Sequence, residues 1–357
     1  MDRSRILEVI KQYDKDSITI ATLGSHSALN ILRGAKDEGF RTVCLCREKE
    51  RIIYESFGVA DEILDLKDYP DLLKKSMQDE LIEKNAIIIP HGSFNAYIGK
   101  LDELIVPVFG NRMLMAWEVD REKQRKWLIN AGLTLPKTFD KPEDIDRLVI
   151  VKYPGARGGM GYFLASSPEE FYEKAKQMVE KGLIDASEIE NAHIQEYIVG
   201  ANVYFSFFYS PVFGRVELIA ADRRYEASVD GLGRIPADQQ LRAGLMPTYT
   251  VIGNFPVVLR ESLLAQAIKA ARNVVEVSKQ IAYPGMVGPF CLEAVFDENA
   301  KMIVFEISAR IVAGSSVGIP ASPYSYVLFG EPMYMGRRIA REIRLAAEKN
   351  MLDEVIY

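Results

Sequence analysis

Short apolar strands alternate with polar helices over residues 1–112. The strands are predicted at Ser17–Leu23, Arg41–Cys46 and Ala86–Ile89, and a helix that ends at Gly39 lies between the first two. This alternation is typical of a parallel sheet with helices packed on its faces. Ligands of such sheets bind beyond the carboxyl ends of the strands. We therefore expect the loops at residues 24–27 and 91–93 to line a site.

The rest of the chain has a different pattern. A helix is predicted over Met113–Asn130, and it ends at Ala131-Gly132. The strands Leu148–Tyr153 and Tyr162–Ala165 follow, with a glycine-rich loop between them. Residues 193–210 are again strand-like, and the C-terminal half adds two further strands before a closing helix.

We expect three units in the chain. The first is an α/β domain, the second carries the glycine-rich loop, and the third ends with the closing helix near Gly336–Glu348. Their predicted limits are residues 1–120, 121–210 and 211–357.

The glycine-rich loop, Pro154–Gly161, carries four glycines and follows Lys152 closely. Glycines let backbone amides approach an anion, and Lys152 and Arg157 add positive charge, so phosphate is the expected guest. The loop leads into a strand, whereas Walker loops and dinucleotide-binding fingerprints open a helix. A plain hairpin turn with a solvated Arg157 remains the alternative.

Two glutamates occupy a predicted hairpin formed by residues 289–296 and 301–308. With a tip at Asn299-Ala300, Glu293 and Glu306 face each other across the ladder. Like charges placed opposite each other among apolar neighbours are destabilising, and a divalent cation would relieve that repulsion. Arg310 is expected on the same face as Glu306. The alternative is an ordinary Glu306–Arg310 ion pair at a solvated face.

Composition excludes several classes of protein. The net charge of -6 without a basic block argues against nucleic acid as the main partner. No apolar run approaches the roughly 20 residues of a membrane-spanning helix. The three cysteines fit neither a disulfide framework nor a metal site. The N-terminus lacks the pattern of a signal peptide, so we expect a cytoplasmic protein.

These motifs occur in the order typical of ATP-grasp proteins. Lys152 with its glycine loop comes first, Gln195-Glu196-Tyr197-Ile198 second, and the Glu293 and Glu306 pair last. Over nearly its full length the chain also resembles the archaeal synthetases that formylate aminoimidazole carboxamide ribonucleotide (AICAR). The resemblance is carried by segments 21–27, 90–94, 109–112, 155–159, 222–226, 251–254 and 306–310.

The resemblance implies a fold and an activity. The fold would be α/β and α+β, an ATP-grasp fold with an N-terminal Rossmann-like (preATP-grasp) domain. The activity would join formate and AICAR, with ATP and Mg²⁺ (or Mn²⁺), to give the formamido product FAICAR, ADP and phosphate. A formyl phosphate intermediate would activate the formate. The resemblance also implies a homo-oligomer such as a hexamer.

The resemblance assigns roles to individual residues. Lys152 and Arg310 would be catalytic, and Glu293 and Glu306 would bind the metal. The residues implied for ATP binding are Lys152, Arg157, Gly158, Gly159, Glu196, Tyr197, Ile198 and Glu226. The residues implied for substrate binding are His26, Ser27, Ser93, Asn254 and Arg310.

Each substrate or ribose contact has a simpler alternative. Ser27 or Ser93 could only cap a helix, His26 could be a loop histidine, and Asn254 could form a turn. Glu226 could belong to a surface charge cluster with Arg223 and Arg224.

Two departures from the family pattern leave the amine substrate open. Met160 stands where arginine is usual, and Gly314–Ile319 replaces a loop that usually contains an asparagine. A paralogous ligase with another amine, or a non-catalytic nucleotide sensor, are the alternatives.

Overall fold

A computed structural model describes residues 3–153, 162–245, 248–312 and 322–357. The predicted glycine-rich loop, with Arg157, Gly158, Gly159 and Met160, lies outside the described residues. The loop Gly314–Ile319 also lies outside them. Among the described residues, no helix combines the length and the apolar character needed to cross a membrane.

The strands fall into three sheets. In chain order they are β1 (Thr19–Leu23), β2 (Arg41–Cys46), β3 (Glu62–Asp65), β4 (Ala86–Ile88), β5 (Thr138–Phe139), β6 (Val149–Lys152), β7 (Tyr162–Ala165), β8 (His193–Glu196), β9 (Ala201–Ser210), β10 (Arg215–Ser228), β11 (Tyr249–Pro256), β12 (Gly288–Phe296) and β13 (Met302–Ser308).

The helices connect and cover these sheets. They are α1 (Arg3–Lys11), α2 (Ala28–Asp37), α3 (Glu48–Phe57), α4 (Lys75–Glu83), α5 (Phe94–Ile98), α6 (Arg112–Val119), α7 (Arg121–Asn130), α8 (Pro168–Glu180), α9 (Val229–Leu232), α10 (Ala237–Ala243), α11 (Glu261–Ile281), α12 (Pro323–Phe329), α13 (Met335–Glu348) and α14 (Leu352–Val355).

The first sheet is parallel, in the order β3-β2-β1-β4. All residues of β1 and nearly all of β2 are buried, as expected for strands covered on both faces. The prediction of an α/β unit with a parallel sheet is confirmed. The carboxyl ends of β1 and β4 bring the loops at residues 24–27 and 91–93 together.

The C-terminal helix α13 packs on this first sheet. Gly34 of α2 and Gly336 of α13 meet so closely that a Cβ on Gly34 would lie 2.1 Å from the Arg337 nitrogen. Asn30 accepts a hydrogen bond from the Gly336 amide at 2.7 Å. The two ends of the chain are therefore joined by a contact that requires glycine.

A five-stranded antiparallel sheet, in the order β11-β10-β9-β12-β13, forms the largest part of the core. The long helix α11 covers one face with a stripe of buried alanines and valines. Phe205, Phe207 and Phe290 are buried beneath it. The aromatic residues of β9 are thus largely part of the core.

A third sheet, in the order β5-β8-β6-β7, is antiparallel and is covered by α8. Ser167 caps α8 by accepting a hydrogen bond from the Glu170 amide at 3.3 Å. This sheet holds Lys152 at the end of β6 and Glu196 at the end of β8.

Two predictions of elements are wrong. The helix predicted over Met113–Asn130 is divided into α6 and α7, because the Asp120 carboxylate caps a new helix by accepting from the Glu122 and Lys123 amides. The C-terminal half contains β10 and β11 in addition to the two predicted strands.

The predicted boundary at residue 210 falls between β9 and β10, which pair as neighbours in one sheet. Because hydrogen-bonded strands belong to one folding unit, we propose that the second boundary precedes β9, while the first stays near residue 120.

Candidate active site

A cleft of about 600 Å³ lies where the three sheets meet. Ten of the residues predicted for the site line it: His26, Ser93, Lys152, Glu196, Tyr197, Ile198, Glu226, Glu293, Glu306 and Arg310. A larger groove of about 900 Å³ lies at the amino ends of β1 and β2. We assign the chemistry to the smaller cleft, because parallel sheets bind ligands at the carboxyl ends of their strands.

The two glutamates of the hairpin face each other as predicted, with Glu293 directly opposite Glu306. The predicted tip is wrong, however, because the loop runs over five residues, 297–301. Near the tip, the residues of β12 and β13 therefore pair with an offset of one residue from the predicted pairing. A β-bulge at Phe305 adds one residue to β13 and restores the facing pair.

The facing carboxylates have different environments. Glu293 is buried and accepts a hydrogen bond from Arg224 at 2.7 Å. This arginine therefore supplies part of the positive charge that relieves the repulsion between the two glutamates. Burial raises the pKa of Glu293 to about 7, against the effect of Arg224. Glu306 forms no ion pair within the described residues, and it faces the cleft.

Arg310 does not pair with Glu306, so that alternative is wrong. Its guanidinium lies 2.5 Å from the carboxylate of Glu118, a buried residue near the end of α6. Burial raises the pKa of Glu118, and the charge of Arg310 opposes this. Glu118 was not predicted, although a single acid within the apolar segment 113–119 is a signal that could have identified it.

Lys152 points into the cleft from the end of β6. Its Nζ donates to Oε1 of Gln195 at 3.3 Å, and Gln195 is a buried neighbour that was not assigned a role. Burial lowers the pKa of Lys152, while Glu306 and Glu293 act in the opposite direction. The ammonium group is thus held close to the carboxylate pair.

The segment after β8 presents backbone rather than side-chain groups. The Glu196 carboxylate accepts hydrogen bonds from the Lys137 amide and from Arg147, each at 3.0 Å. The Tyr197 amide donates to the Leu148 carbonyl at 2.9 Å. The Ile198 amide donates to no group in the described part of the chain. A planar ligand edge could therefore bind at this amide.

Glu226 lies on β10 and lines the cleft, and burial raises the pKa of its carboxyl group. Glu226 forms no ion pair with either arginine of the suggested charge cluster, because Arg224 pairs with Glu293 and Arg223 pairs with Asp230. The charges of both arginines nevertheless oppose the rise in the pKa of Glu226.

Asn254 lies in β11 opposite Arg224, so it is not a turn former. It does not line the cleft, but its Oδ1 atom is buried and has no partner among the described residues.

The two loops of the first sheet meet at His26. Its Nδ1 lies 2.7 Å from the Ser25 hydroxyl, and its Nε2 lies 3.2 Å from the Ser93 hydroxyl. Burial and, to a lesser extent, the charge of Arg310 lower the pKa of His26. Arg310 therefore connects this loop cluster electrostatically with the carboxylate hairpin.

Two serines were expected either at the substrate or as helix caps. Ser27 is fully buried and donates to the Val312 carbonyl at 2.6 Å, so its hydroxyl is not directed into the cleft. Ser93 lines the cleft. Both serines occupy the N-cap positions of α2 and α5, as the alternative required, but neither side chain makes a capping hydrogen bond.

A Rossmann-like first sheet, followed by two antiparallel sheets that enclose a cleft with a lysine and paired glutamates, defines the ATP-grasp class. The N5-carboxyaminoimidazole synthetase from Staphylococcus aureus, solved in complex with ADP, has this fold. It aligns with a TM-score of 0.57 and 18% identity, over 82% of this chain and 70% of that chain.

Nearer relatives define the family. A family model described as a domain of unknown function (DUF1297) matches residues 170–357, and one described as a protein of unknown function (DUF1246) matches residues 20–139. The 5-formaminoimidazole-4-carboxamide-1-(beta)-D-ribofuranosyl 5'-monophosphate synthetase of Archaeoglobus fulgidus is 68% identical over 99% of both chains. The chain belongs to the family of these synthetases.

A solved structure agrees with this assignment. The crystal structure of an IMP biosynthesis protein PurP from Thermococcus kodakaraensis aligns with a TM-score of 0.75 and 32% identity. The alignment covers 95% of this chain and all of that chain.

Proposed function

We propose that the protein is a ligase that formylates AICAR to FAICAR with formate and ATP, releasing ADP and phosphate. The observation that carries the proposal is the single cleft shared by Lys152, the facing Glu293 and Glu306, and the His26 loop cluster. The name of the 68% identical relative supports the product. The proposal includes a homo-oligomer, which light scattering would measure.

ATP would lie between the segment after β8 and the carboxylate hairpin. The adenine edge would bind at the backbone of Glu196–Ile198, where the Ile198 amide is available within the described residues. Glu226 would accept hydrogen bonds from the ribose hydroxyls. Lys152 would contact a phosphate oxygen, since its ammonium group faces the cleft next to the two glutamates.

The carboxylate pair fits a divalent cation. Among the described residues, no three His, Cys, Asp or Glu side chains surround a common metal position. Mg²⁺ is usually held by only one or two carboxylates, with phosphates and water as further ligands, so Glu293 and Glu306 are sufficient. When bound there, the ion would neutralise charge on the transferring phosphoryl group.

The ribonucleotide would bind at the opposite end of the cleft. His26 and Ser93 offer a ring nitrogen and a hydroxyl at the ends of β1 and β4, and Arg310 supplies positive charge beside them. Such groups suit a phosphomonoester. We leave Ser27 out of direct contact, because its hydroxyl is used within the protein. The unpartnered Oδ1 of Asn254 stays a proposed contact.

The chemistry would proceed in two displacements. A formate oxygen attacks the γ-phosphorus of ATP, the bond to ADP breaks, and formyl phosphate forms. The amine nitrogen of AICAR then attacks the formyl carbon, phosphate leaves, and the nitrogen loses a proton. Lys152 and Arg310 stabilise the negative charge of the phosphoryl group in both steps without becoming covalent intermediates.

Turnover with and without formate tests this function. Purified protein is incubated with Mg²⁺, ATP and AICAR, and the release of ADP and phosphate is followed. We expect ADP release that requires both formate and AICAR. Turnover with another amine instead of AICAR would favour the paralogous ligase, to which Met160 points. ATP binding without turnover on any amine would favour a sensor.

A further inference from the structure

Arg310 is held away from the carboxylate pair. It follows β13 by two residues and lies close enough to lower the pKa of Glu293 by its charge. Its guanidinium nevertheless binds Glu118, at 2.5 Å, and only 15% of the arginine side chain is exposed. The shape of a guanidinium suits bidentate binding to any nearby carboxylate, so the choice of partner requires a cause.

Glu118 fixes the side chain of Arg310 and the backbone of Ala309. One carboxylate oxygen binds the Arg310 guanidinium, and the other accepts from the Ala309 amide at 2.7 Å. The helix is tied to the same strand by Gln124, which donates to the carbonyls of Glu118 at 2.9 Å and Ile307 at 3.1 Å. The Glu118 side chain therefore has little freedom to move away from Arg310.

The start of α6 is anchored equally firmly. Arg112 is fully buried and donates to the carbonyls of Leu104 and Val106 at 2.5 and 2.7 Å. Asn111 donates to the Gly285 carbonyl at 2.9 Å. Helix α6 is thus a rigid support that presents Glu118 to the segment directly after β13.

The charged groups around Arg310 come from several elements. Glu118 faces it from α6, Glu293 from β12, and His26 and His91 from the loops of the first sheet. Glu306 lies on β13, four residues before Arg310, and its charge also acts on Glu118. Without Glu118, the guanidinium would be left with Glu293, whose pKa its charge already lowers, and with Glu306 of the same cleft as acceptors.

We infer that Glu118 is a positioning residue that keeps Arg310 off the carboxylate pair. Glu306 is then left available to a divalent cation, and Arg310 stays directed towards the His26 loop cluster and the anionic substrate. The inference rests on the proposed metal site. Loss of Glu118 would let Arg310 bind Glu306 and compete with the cation.

Binding of Mn²⁺ tests this inference directly. The dissociation constant of Mn²⁺ is measured by electron paramagnetic resonance in the presence of ADP, which lacks the phosphoryl group that Arg310 would contact. We expect Glu118→Gln to weaken Mn²⁺ binding by roughly tenfold or more, the range found when groups that orient metal ligands are removed. Adding Arg310→Gln to this variant should restore binding, since the competing cation is gone.

Two further variants complete the test. Glu298→Gln removes one negative charge from the exposed tip of the same hairpin, and we expect Mn²⁺ binding like that of the wild type. Arg310→Gln alone should bind Mn²⁺ at least as tightly as the wild type, and it tests the competition even if Glu118→Gln does not fold.

Failure of this inference can be distinguished from failure of the proposed metal site. Wild-type Mn²⁺ affinity in folded Glu118→Gln, no recovery in the double variant, or weakened binding in Arg310→Gln would each overturn the role of Glu118 and leave the metal site standing. Absence of Mn²⁺ binding by the wild type would overturn both the metal site and this inference.

Discussion

Replacing Arg338 by methionine should destabilise the protein strongly. Arg338, Glu217 and Glu342 are all fully buried between α13 and the five-stranded sheet. The guanidinium donates to Glu217 at 2.6 Å and to Glu342 at 2.8 Å, and it stacks over Phe208 at 4.2 Å. Methionine would leave both carboxylates in place without this central cation.

The expected loss follows from the partners that remain. Glu217 would keep Arg215 at 2.8 Å, whereas the partners left to Glu342 among the described residues would be the Ser210 hydroxyl and the Val212 amide. Breaking a buried ion network by removing one partner costs about 3–5 kcal/mol. With an unfolding entropy of about 0.75 kcal/mol per kelvin for 357 residues, the midpoint of thermal unfolding should fall by about 4–7 °C.

A double variant provides the control, and calorimetry provides the measurement. Arg338→Met with Glu342→Leu removes the uncompensated carboxylate together with the arginine, so its unfolding midpoint should lie clearly above that of Arg338→Met. Equal midpoints for the single and double variants would show that lost packing, rather than a buried unpaired charge, causes the destabilisation, and the reasoning would be refuted.

Three other changes have defined outcomes. Glu306→Gln should lower kcat at least about 100-fold with an unchanged unfolding midpoint, and wild-type turnover would disprove the metal site. Lys152→Met should lower kcat/KM for ATP by roughly 100-fold, without loss of stability, because burial already disfavours its charge. Burial lowers the pKa of His91 to about 3, so the folded state binds fewer protons and stability falls from pH 6.5 downwards. Urea unfolding at pH 7.5 and at pH 5.5 should show that the wild type loses more stability than His91→Gln, by on the order of 1.4 kcal/mol.

The sequence predicted the strands of the first sheet best, because their pattern of apolar residues is local and repetitive. Strand β2 has the predicted limits, and β1 and β4 differ from their predictions only at the ends. Burial on both faces gives continuous apolar runs, which need no knowledge of the rest of the fold. The loops beside them followed from a general rule for parallel sheets, and His26 and Ser93 do meet there.

Other features depended on tertiary contacts. Glu293 faces Glu306 through a longer loop and a compensating bulge, which the alternation of residues does not reveal. The partner of Arg310 is Glu118, which lies 192 residues away in sequence. The sequence around an arginine does not indicate which of several carboxylates the arginine will bind. Only the packing of α6 against β13 decides which carboxylate it binds.

Oxygen transfer from formate tests the central claim, which is that ATP phosphorylates formate within the cleft. The enzyme is incubated with ¹⁸O-labelled formate, ATP, Mg²⁺ and AICAR, and the phosphate produced is examined by mass spectrometry. If a formate oxygen attacks the γ-phosphorus, each phosphate released carries one ¹⁸O atom when FAICAR forms. Phosphate without the label, alongside formation of FAICAR, would contradict the account.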